Sequence, residues 1–208
     1  MHLKADDLPG RQAWMKMDPV RSRRPAVQDV KGPATRHSAV LILCSLQKPE
    51  SLLYTLRNNN LPNHGGQISF PGGRRNEGET LLQTASREAE EEVGIRPHQY
   101  ETAGCLSPLF VAASQFVIHP WLAFTDDRPG VTVQTSEVSE AFWVKLDDLR
   151  NTENIRTMTK SLGGKDLQIP YWDIHPVPLW GATAMITSEI VEIYHRYLQY
   201  KSGSKVTE

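Results

Sequence analysis

The sequence predicts an α/β fold in which helices pack on both faces of a mixed β-sheet. Three observations point to it. The chain contains several apolar runs of strand length. It also contains two well-separated segments whose apolar residues recur at helical spacing. Its length, 208 residues, is typical of one substantial domain or two small ones. A chain of this length can bury enough surface to fold without disulfides or structural metals, so we expect one domain.

The first half of the chain provides three predicted strands. An apolar run from Ser38 to Leu46 is typical of a buried strand. A polar turn joins it to a second strand, Ser51 to Arg57, so the two are predicted to form a hairpin. A loop rich in Asn, Pro and Gly leads to a third, short strand from Gln67 to Phe70, which Pro71 ends.

The second half provides further strands at longer intervals. They are predicted over Tyr100 to Leu106, over Phe116 to Phe124, over Ala141 to Val144, and in a hairpin that pairs Arg156 to Lys160 with Asp166 to Tyr171.

Two long helices are predicted, over Glu79 to Val93 and over Gly181 to Tyr200. Gly94 is the expected stop of the first one. The apolar face of that helix is formed by Leu82, Ala85, Ala89 and Val93. A short helix is also predicted around Gly10 to Met17.

Composition excludes several classes of protein. With 23 basic and 24 acidic side chains the net charge is −1, so nothing in it favours nucleic acid or an anionic membrane as a partner. The two cysteines exclude a disulfide framework and a zinc site built on cysteine pairs. The N-terminus lacks the pattern of a secretory signal, and the longest apolar run is too short to span a bilayer. We therefore expect a cytoplasmic protein.

The chain is predicted to consist of an N-terminal arm (1–36), one domain (37–200) and a flexible C-terminal tail (201–208). The arm is expected to be peripheral, because it is rich in proline and poor in apolar residues. Its basic patch at Arg21, Arg23 and Arg24 is either a solvated linker or a clamp for an anionic ligand.

Glu88, Glu91 and Glu92 carry the chemistry of the first long helix. Residues at i, i+3 and i+4 share a helix face, so three carboxylates should converge there. Their repulsion, at the end of the helix where the macrodipole already disfavours negative charge, should be offset by a partner. A hard divalent cation such as Mg²⁺ is the natural candidate, and a solvated acidic face is the alternative.

The segment from Gly73 to Ile95 matches a longer pattern, Gly-x5-Glu-x7-Arg-Glu-apolar-x-Glu-Glu-x-Gly-apolar. Its specified residues are Gly73, Glu79, Arg87, Glu88, Ala89, Glu91, Glu92, Gly94 and Ile95. A chance match in a chain of this length is on the order of 10⁻⁷. The segment resembles the Nudix box, the signature of enzymes that hydrolyse a nucleoside diphosphate linked to another group.

This resemblance implies a mixed sheet between helices and a role for each residue of the box. Glu91 and Glu92 would be the main ligands of Mg²⁺ or Mn²⁺, and the carbonyl of Gly72 a further ligand. Glu88 would be a third ligand, or would orient or deprotonate the attacking water. Arg87 and Glu79 are expected to form a structural ion pair that braces the loop, with a direct catalytic role as the alternative. Gly73 and Gly94 belong to the structural part of the motif.

The stretch before the box resembles an extra signature of the coenzyme A pyrophosphatase branch of this family. The matching residues are Thr55, Arg57, Leu61, His64, Gly66, Gln67, Ile68, Ser69, Phe70 and Pro71. The resemblance implies that coenzyme A or an acyl-coenzyme A is hydrolysed to adenosine 3′,5′-bisphosphate and (acyl-)4′-phosphopantetheine.

Substrate contacts are expected from Arg57, Arg74 and Arg75, because guanidinium groups bind phosphate oxygens in a bidentate manner. His64 and Gln67, in the loop before the box, are further candidates. Each arginine is as readily an ordinary surface residue, and the histidine as readily caps backbone groups.

The resemblance also implies an additional acid in the loop before the strand that ends at Val144. Glu137 is the first candidate for a further ligand or catalytic base, and Glu140 the second; a solvated loop carboxylate is the alternative. Two other functions stay open: hydrolysis of another nucleoside diphosphate such as ADP-ribose or NADH, and nucleotide sensing without turnover. The expected partner is a small nucleotide, and the composition leaves a homodimer open.

Overall fold

The structure, a computed structural model, describes residues 7–19, 36–162 and 164–203. The helices are α1 (Gly10–Trp14), α2 (Leu81–Val93), α3 (Leu146–Arg150) and α4 (Gly181–Gly203). The strands are β1 (Arg36–Ser45), β2 (Ser51–Arg57), β3 (Ile68–Ser69), β4 (Gly72–Arg74), β5 (Glu101–Cys105), β6 (Leu109–Val111), β7 (Phe116–Thr125), β8 (Val138–Lys145), β9 (Ile155–Leu162) and β10 (Lys165–Trp172). No helix in these ranges is long and apolar enough to cross a membrane.

Strands β1 to β8 form one mixed sheet built around β1. Along its whole length, from Arg36 opposite Phe116 to Ser45 opposite Thr125, β1 pairs in parallel with β7. The predicted β1–β2 hairpin is present but short, with only Cys44 opposite Leu52 and Ser45 opposite Ser51. Beyond those pairs the two strands separate, and β4 pairs with β1 in the gap. The predicted β9–β10 hairpin forms a separate two-stranded sheet.

Both faces of the large sheet are covered, which confirms the predicted α/β architecture. On β2, Leu52 and Tyr54 belong to the core that includes residues of α4, whereas Leu53 belongs to the core under α2. This division follows from the alternation of side chains along a strand. The Tyr54 hydroxyl also lies 2.9 Å from the Thr187 hydroxyl of α4.

Helix α2 begins two residues later than predicted, at a capping box. The Thr80 hydroxyl accepts the backbone N–H of Gln83, and the Gln83 side chain accepts the backbone N–H of Thr80. The helix ends as predicted at Gly94, whose φ of 72° is the left-handed conformation that glycine tolerates best. Leu81, rather than the predicted Leu82, packs against the core under this helix.

Several other boundaries differ from the predictions. Strand β8 begins at Val138 rather than Ala141, and α4 continues to Gly203, three residues into the predicted tail. Strands β4 and β6 and helix α3 were not predicted, because at three to five residues they are too short to show a periodic pattern.

The described part of the N-terminal arm is not peripheral. Residues 7–19 pack on α4, and Met17 is completely buried in the core on that side of the sheet. The basic patch at 21–24 lies outside the described residues, as does 204–208 of the predicted tail. The domain limits at residues 36 and 200 stay predictions.

Candidate active site

The glutamate face of α2 lies against β4, where two glycines allow a close approach. Gly72 is opposite Val40 of β1, and a Cβ atom on Gly72 would lie 2.5 Å from the Ala39 carbonyl oxygen. A Cβ atom on Gly73 would lie 2.5 Å from the carboxyl group of Glu88. The second glycine therefore lets the Glu88 carboxylate rest directly on the backbone of β4.

Glu92 is the most buried of the three glutamates, with 2% of its surface exposed. One carboxylate oxygen accepts the backbone N–H of Gly72 at 3.1 Å, and the other lies 3.3 Å from Nη1 of Arg57. Burial raises the pKa of Glu92 to about 7; the Gly72 N–H and Arg57 oppose that rise, whereas the charges of Glu88 and Glu137 add to it.

Glu88 and Glu91 share one cationic partner. Nη1 of Arg87 lies 2.8 Å from a carboxylate oxygen of each. Burial raises the pKa of Glu88, Arg87 opposes that rise, and the charges of Glu91 and Glu137 reinforce it. Glu91 is much more open, with 58% of its side chain exposed. The structure thus brings the three predicted carboxylates to one face.

Arg87 also forms the expected ion pair with Glu79. Its Nε and Nη2 atoms lie 2.7 and 3.2 Å from the two oxygens of that carboxylate. Glu79 accepts further hydrogen bonds from the Asn76 backbone N–H and the Thr84 hydroxyl, both at 3.0 Å. These hydrogen bonds lower the pKa of Glu79 to about 2, and the bond from Arg87 has the largest effect. The bonded set ties the loop after β4 to α2.

Glu137 lies in the loop before β8, and that loop is bonded to the end of α2. The Gln134 N–H donates to the Glu92 carbonyl at 2.9 Å, and the Thr132 N–H donates to the Val93 carbonyl at 3.0 Å. The Glu137 side chain is exposed, and its charge raises the pKa of both Glu88 and Glu92. It is therefore placed beside the glutamate cluster.

Glu140, the second candidate, belongs to the other face of the sheet. Its carboxylate lies 3.4 Å from Nε2 of His175, whose ring stacks on Phe142 with centroids 4.5 Å apart. Phe142 packs against the core on the α4 side. This position separates Glu140 from the three glutamates of α2.

The remaining predicted contacts lie in the loop before β3 and at the end of β4. His64 has a φ of 59°, and its Nδ1 atom is 3.2 Å from the Gln67 side-chain oxygen. Arg74 and Arg75 are exposed; the Arg74 carbonyl accepts a bond from Arg87, and the Arg75 N–H donates to the His37 carbonyl. Sequence reasoning missed that Arg57 contacts Glu92, since no local pattern links residues 35 positions apart.

The donor set suits a hard divalent cation, although it is not arranged as a finished site. Within the described residues, no three carboxylate, imidazole or thiol side chains surround a common point. Arg87 instead occupies the space between Glu88 and Glu91. Glu88, Glu91 and Glu92, together with the backbone carbonyl of Gly72, nevertheless offer the oxygen ligands that Mg²⁺ and Mn²⁺ prefer.

A sequence model of the NUDIX domain matches residues 35–163, which is more than half of the chain. The chain belongs to the Nudix family. It is a Nudix hydrolase, as the box predicts, and hydrolases of this family act on small nucleotides and generally use divalent metal ions.

Curated relatives agree with this assignment. The chain is 29% identical over 160 residues to the uncharacterized Nudix hydrolase NudL of Photorhabdus laumondii. That match covers 76% of this chain and 84% of the relative. It is 33% identical over 162 residues to the mitochondrial coenzyme A diphosphatase NUDT8 of Homo sapiens, covering 75% and 68%. It spans 54% and 55% of two further relatives, from Schizosaccharomyces pombe and Caenorhabditis elegans.

The fold is also that of solved Nudix structures. The Nudix hydrolase RenU of M. smegmatis superposes with a TM-score of 0.54 at 18% identity, and the match covers 82% of this chain and 92% of that one.

Proposed function

We propose that this Nudix hydrolase cleaves the diphosphate of coenzyme A or an acyl-coenzyme A. Water adds to one phosphorus and the bridging P–O bond breaks, which yields adenosine 3′,5′-bisphosphate and (acyl-)4′-phosphopantetheine. One observation carries the proposal: relatives whose names say coenzyme A diphosphatase match about three quarters of the chain at 33% identity. A match of that length in a chain of 208 residues necessarily includes the whole box.

Glu88, Glu91, Glu92 and the Gly72 carbonyl are the residues that would hold Mg²⁺ or Mn²⁺. Such a cation, when bound, neutralises diphosphate charge and lowers the pKa of a water molecule. Glu92 is fixed by Gly72 and Arg57, whereas Glu91 is exposed and free to change partner. We assign the proton of the attacking water to Glu88 or Glu137, the carboxylates next to this pair.

Arg74, Arg75, His64 and Gln67 are the proposed substrate contacts. The two arginines are exposed beside the loop that Arg87 braces, so their guanidinium groups are available to phosphate oxygens. His64 and Gln67 already contact each other in the loop before β3. A cytoplasmic location and a homodimer stay predictions.

A mass-resolved hydrolysis screen tests the proposal. Purified protein with millimolar Mg²⁺ or Mn²⁺ is given coenzyme A, acetyl-coenzyme A, ADP-ribose and NADH, and the products are identified by mass. We expect coenzyme A or its acetyl form to have the highest kcat/KM, with adenosine 3′,5′-bisphosphate released. A preference for ADP-ribose or NADH would contradict the substrate assignment, and calorimetric binding without turnover of any of the four would favour a sensor.

A further inference from the structure

The Glu92 carboxylate is held from two sides by groups that precede the box in the sequence, Gly72 directly before it and Arg57 in the upstream signature. The Gly72 N–H binds one oxygen at 3.1 Å, and Nη1 of Arg57 lies 3.3 Å from the other. Glu92 is 2% exposed, and the Arg57 side chain is 23% exposed. Both contacts are therefore largely shielded from water. Screening by solvent and salt weakens such a buried ion pair less than an exposed one.

Arg57 is itself fixed by the strands around it. Its N–H donates to the Gln67 carbonyl at 3.0 Å, and its carbonyl accepts the N–H of Gly66 at 3.1 Å. The β2–β8 ladder shifts register between Leu56 and Arg57, so that Arg57 pairs with Val138. The backbone of Arg57 is therefore held by β8 on one side and by the loop before β3 on the other, so its side chain starts from a fixed point and is well suited to hold another group in place.

The neighbouring residue ties the same strand end to the loop that carries Glu137. The Asn58 N–H donates to the Glu137 carbonyl, and the Asn58 side chain donates to the Thr135 carbonyl, both at 2.8 Å. That loop in turn bonds the Glu92 carbonyl through the Gln134 N–H. Arg57 thus lies where the end of β2, the end of α2 and the Glu137 loop meet.

We infer that Arg57 is a positioning residue, which orients the Glu92 carboxylate for the cation rather than contacting a substrate phosphate. The inference rests on the proposed function only for its kinetic part. It differs from the substrate contact that the sequence suggests for Arg57, and it gives part of the upstream signature a role in building the metal site.

Electrostatics and positioning predict opposite effects when Arg57 is neutralised. Removing a positive charge beside a cation site should tighten cation binding if charge alone mattered. If Arg57 instead fixes the geometry of Glu92, its loss frees a ligand and weakens binding, as changes to groups that orient metal ligands commonly do by about 10- to 100-fold. Weaker metal binding is therefore the specific signature of a positioning role.

The experiment measures Mn²⁺ binding to the substrate-free, full-length protein by electron paramagnetic resonance of the free ion. We expect Arg57→Gln to weaken binding about 10-fold and Arg57→Lys to weaken it less. Arg96→Gln is the matched control. Arg96 also pairs with a glutamate of α2, Glu90, but both of these side chains are at least half exposed. Its Mn²⁺ affinity should equal that of the parent.

The kinetic part compares coenzyme A with the same molecule lacking its 3′-phosphate. At saturating metal, we expect Arg57→Gln to lower kcat about 10-fold for both substrates, with KM changed less than about twofold. Unchanged or tighter Mn²⁺ binding in Arg57→Gln and Arg57→Lys would overturn the inference. So would a rise in KM confined to the substrate that has the 3′-phosphate.

The two proposals fail in different ways. If the parent binds Mn²⁺ but does not hydrolyse coenzyme A, the proposed substrate is wrong, and the binding comparison still decides the role of Arg57. If the Gln variant does not fold, as judged by circular dichroism, the Lys variant decides it in the same assays.

Discussion

Two buried glutamates lie on opposite sides of the sheet, Glu92 on α2 and Glu189 on α4. Glu189 is completely buried and accepts four hydrogen bonds, from the Gly10 N–H, the Trp14 indole N–H, and the N–H and hydroxyl of Ser107, at 2.6 to 3.3 Å. All four donors are uncharged. Glu92 accepts one N–H and one guanidinium group, and two other carboxylates raise its pKa.

The difference separates a carboxylate that serves the fold from one that we propose binds a cation. A buried carboxylate with four donors has its hydrogen-bonding capacity filled, and its role is to join α1, α4 and the turn before β6. Glu92 keeps unused acceptor capacity next to like charges, which a stable fold would avoid unless a ligand completes it. Removing charge should therefore lower stability at Glu189 and lower activity at α2.

The largest expected effect is on activity in α2. Glu91→Gln should lower kcat by about 100-fold or more, because losing a ligand disturbs cation placement. The unfolding temperature should stay near that of the parent, since 58% of the Glu91 side chain is exposed. Glu90→Gln is the control. Glu90 directly precedes Glu91 on the same helix and is exposed, so this variant should keep the parent rate. Parent activity in Glu91→Gln would contradict its assigned role.

The next effect is on stability in α4. Glu189→Gln should lower the free energy of unfolding by about 2 kcal/mol. The glutamine NH2 group would face N–H and O–H groups that donate hydrogen bonds to the carboxylate, so some of those bonds would be lost. Its kcat should change less than about twofold. Glu192→Gln, one turn along, breaks a partly exposed ion pair with Lys16 and should cost less than about 0.5 kcal/mol. Denaturant unfolding measures both, and equal costs would remove the distinction.

Two adjacent glycines allow the same comparison inside β4. A Cβ on Gly72 meets backbone atoms of Ala39 and Val40, so Gly72→Ala should cost about 1–3 kcal/mol of stability. A Cβ on Gly73 meets the mobile end of Glu88, so Gly73→Ala should cost little stability but lower kcat about 10-fold. Thermal unfolding and initial rates measured on both variants would show whether stability and activity separate as expected.

The smallest effect is a dependence of stability on pH. Burial, with the neighbouring His37 and Arg75, lowers the pKa of His119 to about 4 from its usual 6.5. Between those values the unfolded chain binds more protons, so the free energy of unfolding falls as pH falls.

We expect His119→Gln to remove about 1 kcal/mol of the loss in unfolding free energy between pH 7 and pH 5, roughly half of what the full pKa difference would give, because solvent screens the partly exposed ring. Urea unfolding at both pH values measures the change. An equal loss of stability in parent and variant would rule out His119 as its source.

Sequence reasoning predicted the α/β architecture and the glutamate face because both depend on local spacing. Periodicity placed α2, and the box spacing placed its carboxylates on one side. The short strands β4 and β6 carry no such period, and they form because β1 and β7 offer them free edges.

The contacts that complete the site join distant parts of the chain. Arg57 reaches Glu92 across 35 positions, and Gly10 reaches Glu189 across 179. A single sequence does not encode such pairs in any local pattern. It also gave no sign that Glu140 would face His175 on the α4 side, since register within β8 decides which face a residue takes.

The docking of α1 has a practical consequence for anyone shortening this chain. The family match begins at residue 35 and stops at 163, yet Met17, Trp172 and Ile190 all belong to one core. A truncation at those limits would remove α1 and α4 and expose the apolar face of the sheet that they cover. The segment that the family model matches is shorter than the segment that forms the core.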